Sequence, residues 1–277
     1  MTAGATRAKP SRTPVPRSAE SALRMDLAAG FAGISLAELV LVAAMGLFAS
    51  IVGGIAGYGT GVLMPLVLVP IAGAETVVPI IAITALFNNA SRAVAFWAGI
   101  DWPKVMIVLI AALPTCVLGA YGFTLLTGRG ALIVIGVTLL ASVPVRRLMK
   151  RRGMAIGTRG LIFGAVIYGL LVGGTTGSGV ILLSLLLASG LTGVAVIATD
   201  AVISIVLGIV KTTVFGIAGV VTPKVIAFAL MIGVISLPGA FVAKALVDRL
   251  PVRFHTAVLD GVVLLGGAFM IANAMLR

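Results

Sequence analysis

The sequence predicts an all-α polytopic membrane protein made of two tandem repeats, each with about four transmembrane helices plus a glycine-led re-entrant or half-helix. Three observations support this class. Hydrophobic residues make up 60% of the 277 residues, charged residues only 10%, and the mean hydropathy is +1.24. Apolar stretches recur from about residue 34 onward, and most reach the roughly 20 residues that cross a hydrocarbon layer of ~30 Å. The two halves also align with each other.

Ten candidate helices follow one another along the chain. They cover residues 34–53, 62–72, 76–99, 103–126, 131–148, 160–173, 178–190, 194–218, 224–247 and 254–275. The segments 62–72 and 178–190 are too short for ordinary spans, so each is predicted to be re-entrant or a half-helix. The predicted units are a disordered basic N-terminal tail at 1–33, a first transmembrane repeat at 34–148, a basic cytoplasmic linker at 149–159 and a second transmembrane repeat at 160–277.

Positive charge predicts the topology. Residues 1–24 contain no acidic residue before Glu20 and no apolar core like that of a secretory signal, although a transit peptide could share this composition. If both short segments are re-entrant, eight crossings place both termini and the linker cations in the cytoplasm, as the positive-inside rule favours. Ten crossings would place the linker cations outside. These cations are Arg146, Arg147, Lys150, Arg151, Arg152 and Arg159.

The composition argues against several function classes. A net charge of +12 could indicate nucleic-acid binding, but the cations lie in the tail, the linker and the helix ends rather than on one basic face. No cluster of Cys, His or carboxylate residues indicates a metal, and no cofactor motif or GxxxxGK[ST] loop for ATP is present. We therefore predict no metal, no cofactor and no nucleic-acid partner, and a protein embedded in the lipid bilayer. The single cysteine, Cys116, is interpreted as a packing residue.

The internal repeat rests on an offset of 118 to 120 residues. The matched segments are Gly59-Thr60-Gly61-Val62 with Gly177-Ser178-Gly179-Val180, Pro103-Lys104-Val105 with Pro223-Lys224-Val225, and Gly119-Ala120 with Gly239-Ala240. Arg92 aligns with Lys211. An even number of crossings in each repeat predicts parallel copies, with a substrate site between them.

Each repeat contains a glycine-rich break before its short helix. The breaks run from Gly53 to Gly61 and from Gly173 to Gly179. Glycine at this density disfavours a continuous helix, and the N-terminus of the helix that follows is a seat for an anion. The predicted binding residues here are Gly57, Gly59, Thr60, Gly61, Thr175, Thr176, Gly177, Ser178 and Gly179. Close helix packing through the pairs Gly53/Gly57 and Gly169/Gly173 is the alternative explanation.

The helix after each break has a polar face. Thr84, Asn88 and Arg92 recur every four residues, with Asn89 and Ser91 beside them, and Asp200, Ser204 and Lys211 share a face in the second half. A cation within the bilayer costs roughly 2.5 to 3.5 kcal/mol in insertion assays, so Arg92 and Lys211 are predicted to bind an anion with Asn88 and Asn89. Both are expected about 10 Å from the cytoplasmic end. At that depth, snorkelling to lipid headgroups is the alternative.

Asp200 has no acidic counterpart in the first half, where Ile81 aligns with it. An intramembrane carboxylate is a candidate proton carrier, which would couple transport to protons. A structural ion pair or a helix cap would explain the residue equally well.

The doubled unit, with its breaks at Gly57-Tyr58-Gly59-Thr60-Gly61 and 173–179 and its Pro-Lys-Val entries, resembles the TauE/SafE family of sulfite and organosulfur anion exporters over residues 35–275. Pro65 follows the first break as in that family, but Leu183 and Ser184 occupy the corresponding place in the second, so the half-sites are unequal. The resemblance implies a bacterial or archaeal inner-membrane carrier of sulfite or a related sulfonate.

The function expected from these residues and this resemblance is secondary transport of a small anion bound between the repeats, not enzymatic catalysis. Whether the protein forms a homodimer is left open. An anion channel of the same architecture is the main alternative. An intramembrane serine hydrolase using Ser178 and His255 fits poorly, because the flanking residues lack the GxSG spacing.

Overall fold

The computed structural model describes residues 29–56, 59–151, 155–247, 264, 267–272 and 274–275, and these residues contain helices and no strand. The helices are α1 Leu36–Ala56, α2 Thr60–Ala72, α3 Ala74–Ala95, α4 Trp102–Thr124, α5 Gly128–Arg151, α6 Thr158–Gly174, α7 Gly179–Ala188, α8 Val194–Ile217, α9 Pro223–Ser236 and α10 Gly239–Val247. A 3₁₀ turn, Trp97–Gly99, follows α3, and residues 267–272 are also helical. Residues 1–28 of the predicted tail at 1–33 and most of the predicted helix 254–275 lie outside the described residues.

The predicted fold class is confirmed. Six described helical stretches are long and apolar enough to cross a membrane, the sixth being Pro223–Leu246, which includes α9 and most of α10, and the two glycine-led helices are short, with 13 residues in α2 and 10 in α7. The predicted helix 224–247 is divided into α9 and α10 at Leu237 and Pro238. Proline lacks the N–H that would continue the helix, which accounts for the break.

Helices α1 and α3 run in the same direction, because both run parallel to α9 and α10. Contacts advance in step along α1 and α9–α10: Gly46 with Ile232, Ser50 with Ser236, and Gly54 with Ala240. They also advance in step along α3: Thr84 with Ala229, Phe87 with Gly233, and Ala95 with Lys244.

Helices α4, α6 and α8 also run in one common direction. The contacts that show it are Ala112 with Gly169 and Cys116 with Gly173 between α4 and α6, and Asp101 with Thr199 and Cys116 with Leu207 between α4 and α8. This direction is opposite to that of α3, since Arg92 lies beside Asp200 while Leu86, one and a half turns earlier in α3, lies beside Gly208. The third helices of the two halves are therefore antiparallel.

These directions correct the predicted topology. The chain must cross back between the parallel helices α1 and α3, and only the break and α2 connect them; the break and α7 do the same between α6 and α8. Each break and its short helix thus return the chain across the bundle, so the expectation of parallel halves is wrong, and the halves are inverted. The bundle has a "terminal end", where α1, α3 and α9 begin, and a "linker end", where α4, α6 and α8 begin.

The start of α1 lies at the terminal end and residues 155–157 of the linker lie at the linker end. The bond from Ile156 N to Ala188 O fixes this end, since it joins the start of α6 to the finish of α7. A cytoplasmic linker and a cytoplasmic start of α1 therefore cannot both be correct.

Each half packs its helices against the other in a reciprocal way. Gly119 of α4 contacts the backbone of Gly174 in α6, and Gly239 of α10 contacts the hydroxyl and backbone of α1 at Ser50 and Ile51. Buried apolar side chains form two large clusters, one mainly from α1–α3, α5 and α9 and one from α4 and α6–α8. This exchange of partners is consistent with an internal repeat, whose boundaries stay a prediction.

Candidate functional site

A cavity of about 130 Å³ lies where α3 crosses α8. With the exception of Gly57, which is outside the described residues, every residue predicted to bind substrate or carry a proton lines it. These are Gly59, Thr60, Gly61, Asn88, Asn89, Arg92, Thr175, Thr176, Gly177, Ser178, Gly179, Asp200 and Lys211. Tyr168 and Ser204 line it as well.

The two glycine-rich breaks meet at this cavity. The Thr176 hydroxyl donates a hydrogen bond to the Gly61 carbonyl oxygen at 2.8 Å. A Cβ on Gly61 would lie 3.0 Å from the backbone nitrogen of Gly177, so glycine permits the approach. Because α2 then runs to the terminal end and α7 to the linker end, two helix N-termini converge on one point from opposite directions.

The first turn of a helix has N–H groups with no partner inside the helix, and these carry the positive end of the helix dipole. Neither N-cap residue of the short helices, Gly59 of α2 or Ser178 of α7, caps its helix with a side chain. Both breaks therefore direct partial positive charge toward the cavity, which is the chemistry of an anion site.

Close packing also requires several of these glycines. A Cβ on Gly59 would collide with the Ala49 carbonyl oxygen and the Gly53 nitrogen. Gly177 has a φ of +84°, a conformation that favours glycine. The packing explanation and the ligand explanation therefore apply together at the breaks, because the same close approach brings the two helix N-termini to the cavity.

Arg92 is buried, with 4% of its side chain exposed, and is held by both halves of the molecule. Its Nη1 donates to Asn89 Oδ1 at 2.9 Å, and its Nη2 donates to Asp200 Oδ2 at 2.9 Å. Asp200 is 2% exposed. The ion-pair alternative for Asp200 is thus realised, with a partner in the other half, and Arg92 does not snorkel.

Lys211 is also buried, at 6% exposure, but its partners are different. Its Nζ donates to the carbonyl oxygens of Val172 at 2.7 Å and Thr175 at 2.6 Å. Val172 lies in the last turn of α6 and Thr175 directly follows the helix, so the ammonium group caps that helix end. Lys211 is held within its own half.

The two cations lie toward opposite ends of the bundle. Arg92 is level with Asp200 on α8, and Lys211 follows Asp200 by eleven residues, about 16 Å along the helix axis. The expectation that both lie near one membrane face is therefore wrong, because it depended on parallel halves.

Asn88 links the first break to α1 and to the division between α9 and α10. Its amide nitrogen donates to Thr60 Oγ1 at 2.9 Å, and the Ser50 hydroxyl lies 3.0 Å from its Oδ1 and 2.6 Å from the Ser236 carbonyl oxygen. Sequence reasoning missed Ser50. Its signal is a lone hydroxyl within an apolar helix, one turn before the glycine-rich break.

Comparison with family models identifies the family of this chain. Neither a curated protein nor a solved structure matches the chain. The family model described as sulfite exporter TauE/SafE matches residues 42–270. The match covers well over half of the chain, which therefore belongs to the TauE/SafE family of membrane transporters.

Proposed function

We propose that this protein is a secondary transporter of a small anion, with sulfite or an organosulfonate as the expected substrate, bound where the two breaks meet. The observation that carries the proposal is the convergence of two helix N-termini, at Thr60 and Gly179, on a cavity that also holds two buried cations. A helix N-terminus favours anions, and here two act on one point.

The charges of the cavity side chains support an anionic substrate. In their ordinary ionised forms, Arg92 and Lys211 contribute two positive charges and Asp200 one negative charge, which leaves a formal net charge of one positive in a buried site. Burying an uncompensated charge is costly, so a bound anion would stabilise this arrangement. The Thr60, Thr176 and Ser178 hydroxyls are further candidate donors.

The inverted halves suggest how access would alternate. Transporters with inverted repeats expose a fixed central site to one side and then the other by rocking of one helix bundle against the other. The Arg92–Asp200 pair joins α3 to α8 across the halves, so it lies at the place where such a movement would act. We propose that Asp200 couples anion movement to a proton.

The proposal is tested with purified protein in proteoliposomes. Uptake of labelled sulfite should saturate, show counterflow and respond to a pH gradient, and Asp200→Asn should remove the pH response. Asp101→Asn is a matched control, because Asp101 is a carboxylate outside the cavity.

An ohmic current without counterflow would overturn the carrier proposal in favour of the channel. The remaining alternative, a serine hydrolase, also requires His255, which lies outside the described residues. Failure of a serine-reactive probe to label Ser178 would exclude it.

A further inference from the structure

The Arg92–Asp200 pair has one unused hydrogen-bonding atom on each partner. Among the described residues, Arg92 Nε and Asp200 Oδ1 are buried side-chain atoms with no hydrogen-bond partner. Both residues line the cavity, and both are more than nine-tenths buried. The two atoms are themselves enclosed, so the ion pair holds one unsatisfied charged donor and one unsatisfied charged acceptor that a ligand in the cavity would reach when the pair shifts.

These two atoms set opposite requirements for a ligand. A buried polar atom without a partner loses stabilisation, and the loss is larger for a charged group. Arg92 Nε needs an acceptor, which any oxyanion provides. Asp200 Oδ1 needs a donor, and a fully deprotonated oxyanion has none, so its oxygen would face a carboxylate oxygen and be repelled.

We propose that the site selects a monovalent oxyanion that carries its own hydrogen-bond donor, such as the hydroxyl of a protonated oxyacid, over dianions and over monoanions without a donor. This selection rests on the proposed anion transport and, of the two expected substrates, favours sulfite in its protonated form over a sulfonate without a hydroxyl. In this transport the substrate itself carries the accompanying proton, as a hydroxyl that donates a hydrogen bond to Asp200 Oδ1. The single net positive charge of the cavity agrees with a single negative charge on the ligand.

Three probes separate charge from donor capacity. Methanesulfonate and hydrogen methylphosphonate are close in shape and both monovalent at a pH between the two ionisations of the phosphonate, but only the phosphonate has a hydroxyl donor. Sulfate is a dianion without a donor. Binding of each probe to the purified full chain is measured at that pH by calorimetry and by the shift in thermal unfolding.

The wild-type protein should bind hydrogen methylphosphonate about 10-fold to 100-fold more tightly than methanesulfonate, as expected for one hydrogen bond to a charged group, with sulfate weakest. Asp200→Asn, which removes the carboxylate charge, should narrow this preference and strengthen sulfate binding. Asp101→Asn, a carboxylate outside the cavity, is the matched control and should leave the order unchanged.

The wild-type order decides the inference even if Asp200→Asn does not fold. Equal binding of the two monoanions, or tighter binding of methanesulfonate, would overturn the selection and leave the anion site in place. Absence of binding by all three probes would overturn the anion site itself.

Discussion

Arg92 and Lys211 occupy aligned positions in the two halves, yet the structure gives them different partners. Arg92 pairs with a carboxylate from the other half, whereas Lys211 bonds two neutral carbonyls of its own half. They are buried to a similar extent, at 4% and 6% exposure. Alignment within a repeat therefore does not imply equal roles: Arg92 connects the halves, and Lys211 secures the end of α6 beside the second break.

The inversion of the halves, which separates these cations, predicts that the two ends of the bundle are accessible only from opposite sides of the membrane. Cysteines at Thr127, near the terminal end, and at Gly157, at the linker end, should react with a membrane-impermeant maleimide from opposite sides of the membrane. Both positions are exposed, and the natural Cys116 is buried. The measurement is labelling of intact cells before and after permeabilisation.

Labelling of both positions from the same side would contradict the inverted arrangement. The same experiment decides whether the linker end or the terminal end faces the cytoplasm. The positive-inside rule alone does not decide this, because both the tail and the linker are basic.

The next largest effect is expected at Arg92. Arg92→Gln leaves Asp200 as a buried, uncompensated carboxylate, so we expect a loss of about 3–5 kcal/mol of stability together with loss of transport. Adding Asp200→Asn should restore most of the stability but not transport. The free energy of unfolding in detergent and uptake into proteoliposomes measure the two effects separately. Full stability of the single variant would show that the pair does not form.

Replacing Lys211 should reduce stability less than replacing Arg92 does, but it should abolish transport equally. Lys211→Met leaves the Val172 and Thr175 carbonyls without this donor, but no charge is left unpaired, so the expected cost is about 1–3 kcal/mol. Uptake of the anion should still be lost. A destabilisation as large as that of Arg92→Gln would remove the distinction between the two cations.

The smallest predicted difference is between the N-cap residues of α4 in the first half and α9 in the second. Asp101 caps α4 by accepting from Lys104 N, and Thr222 caps α9 by accepting from Val225 N. Replacing either residue by Ala should cost about 1 kcal/mol at neutral pH.

Only the Asp101 cap should depend on pH. Partial burial pushes the pKa of Asp101 up, but the hydrogen bonds from Lys104 N and Nζ and the charge of Lys104 outweigh this, so the pKa lies below its ordinary value. When folding lowers the pKa of a carboxyl group, its stabilisation is fully present at a pH above the pKa of the unfolded state. It is lost as the pH falls through the pKa of the folded state. The cost of Asp101→Ala, measured by unfolding from neutral to acidic pH, should shrink. A constant cost would show that the charge contributes nothing.

Composition and periodicity were sufficient to predict where the helices lie. The predicted segment 194–218 corresponds to Val194–Ile217, and 62–72 to Thr60–Ala72. The predicted segment 76–99 is too long, since α3 ends at Ala95 and a 3₁₀ turn follows. These signals are local, because hydrophobicity and glycine act on the residues around them.

The direction of each helix could not be predicted in the same way. Whether a helix of 10 or 13 residues completes a crossing depends on how far the break before it enters the bundle, which is a property of tertiary packing. Charge did not resolve the question, because both the tail and the linker are basic.

The Arg92–Asp200 contact was also hidden from sequence, since the residues are 108 positions apart and the alignment placed Ile81 opposite Asp200. Antiparallel packing of the aligned helices α3 and α8, in place of the parallel arrangement expected, brings the end of α3 to the start of α8 and would have predicted the contact.

The exchange of glycine-packed helices between the halves has a consequence for biosynthesis. Translation delivers α1 and α4 to the membrane long before α10 and α6 respectively, and those later helices cover their glycine faces at Gly54 and Gly119. During synthesis the first half therefore lies in the bilayer with two helix surfaces that are not yet covered. A chain cut between Arg151 and Thr158 and produced as two fragments should reassemble in the membrane, because each fragment lacks the surfaces that the other supplies.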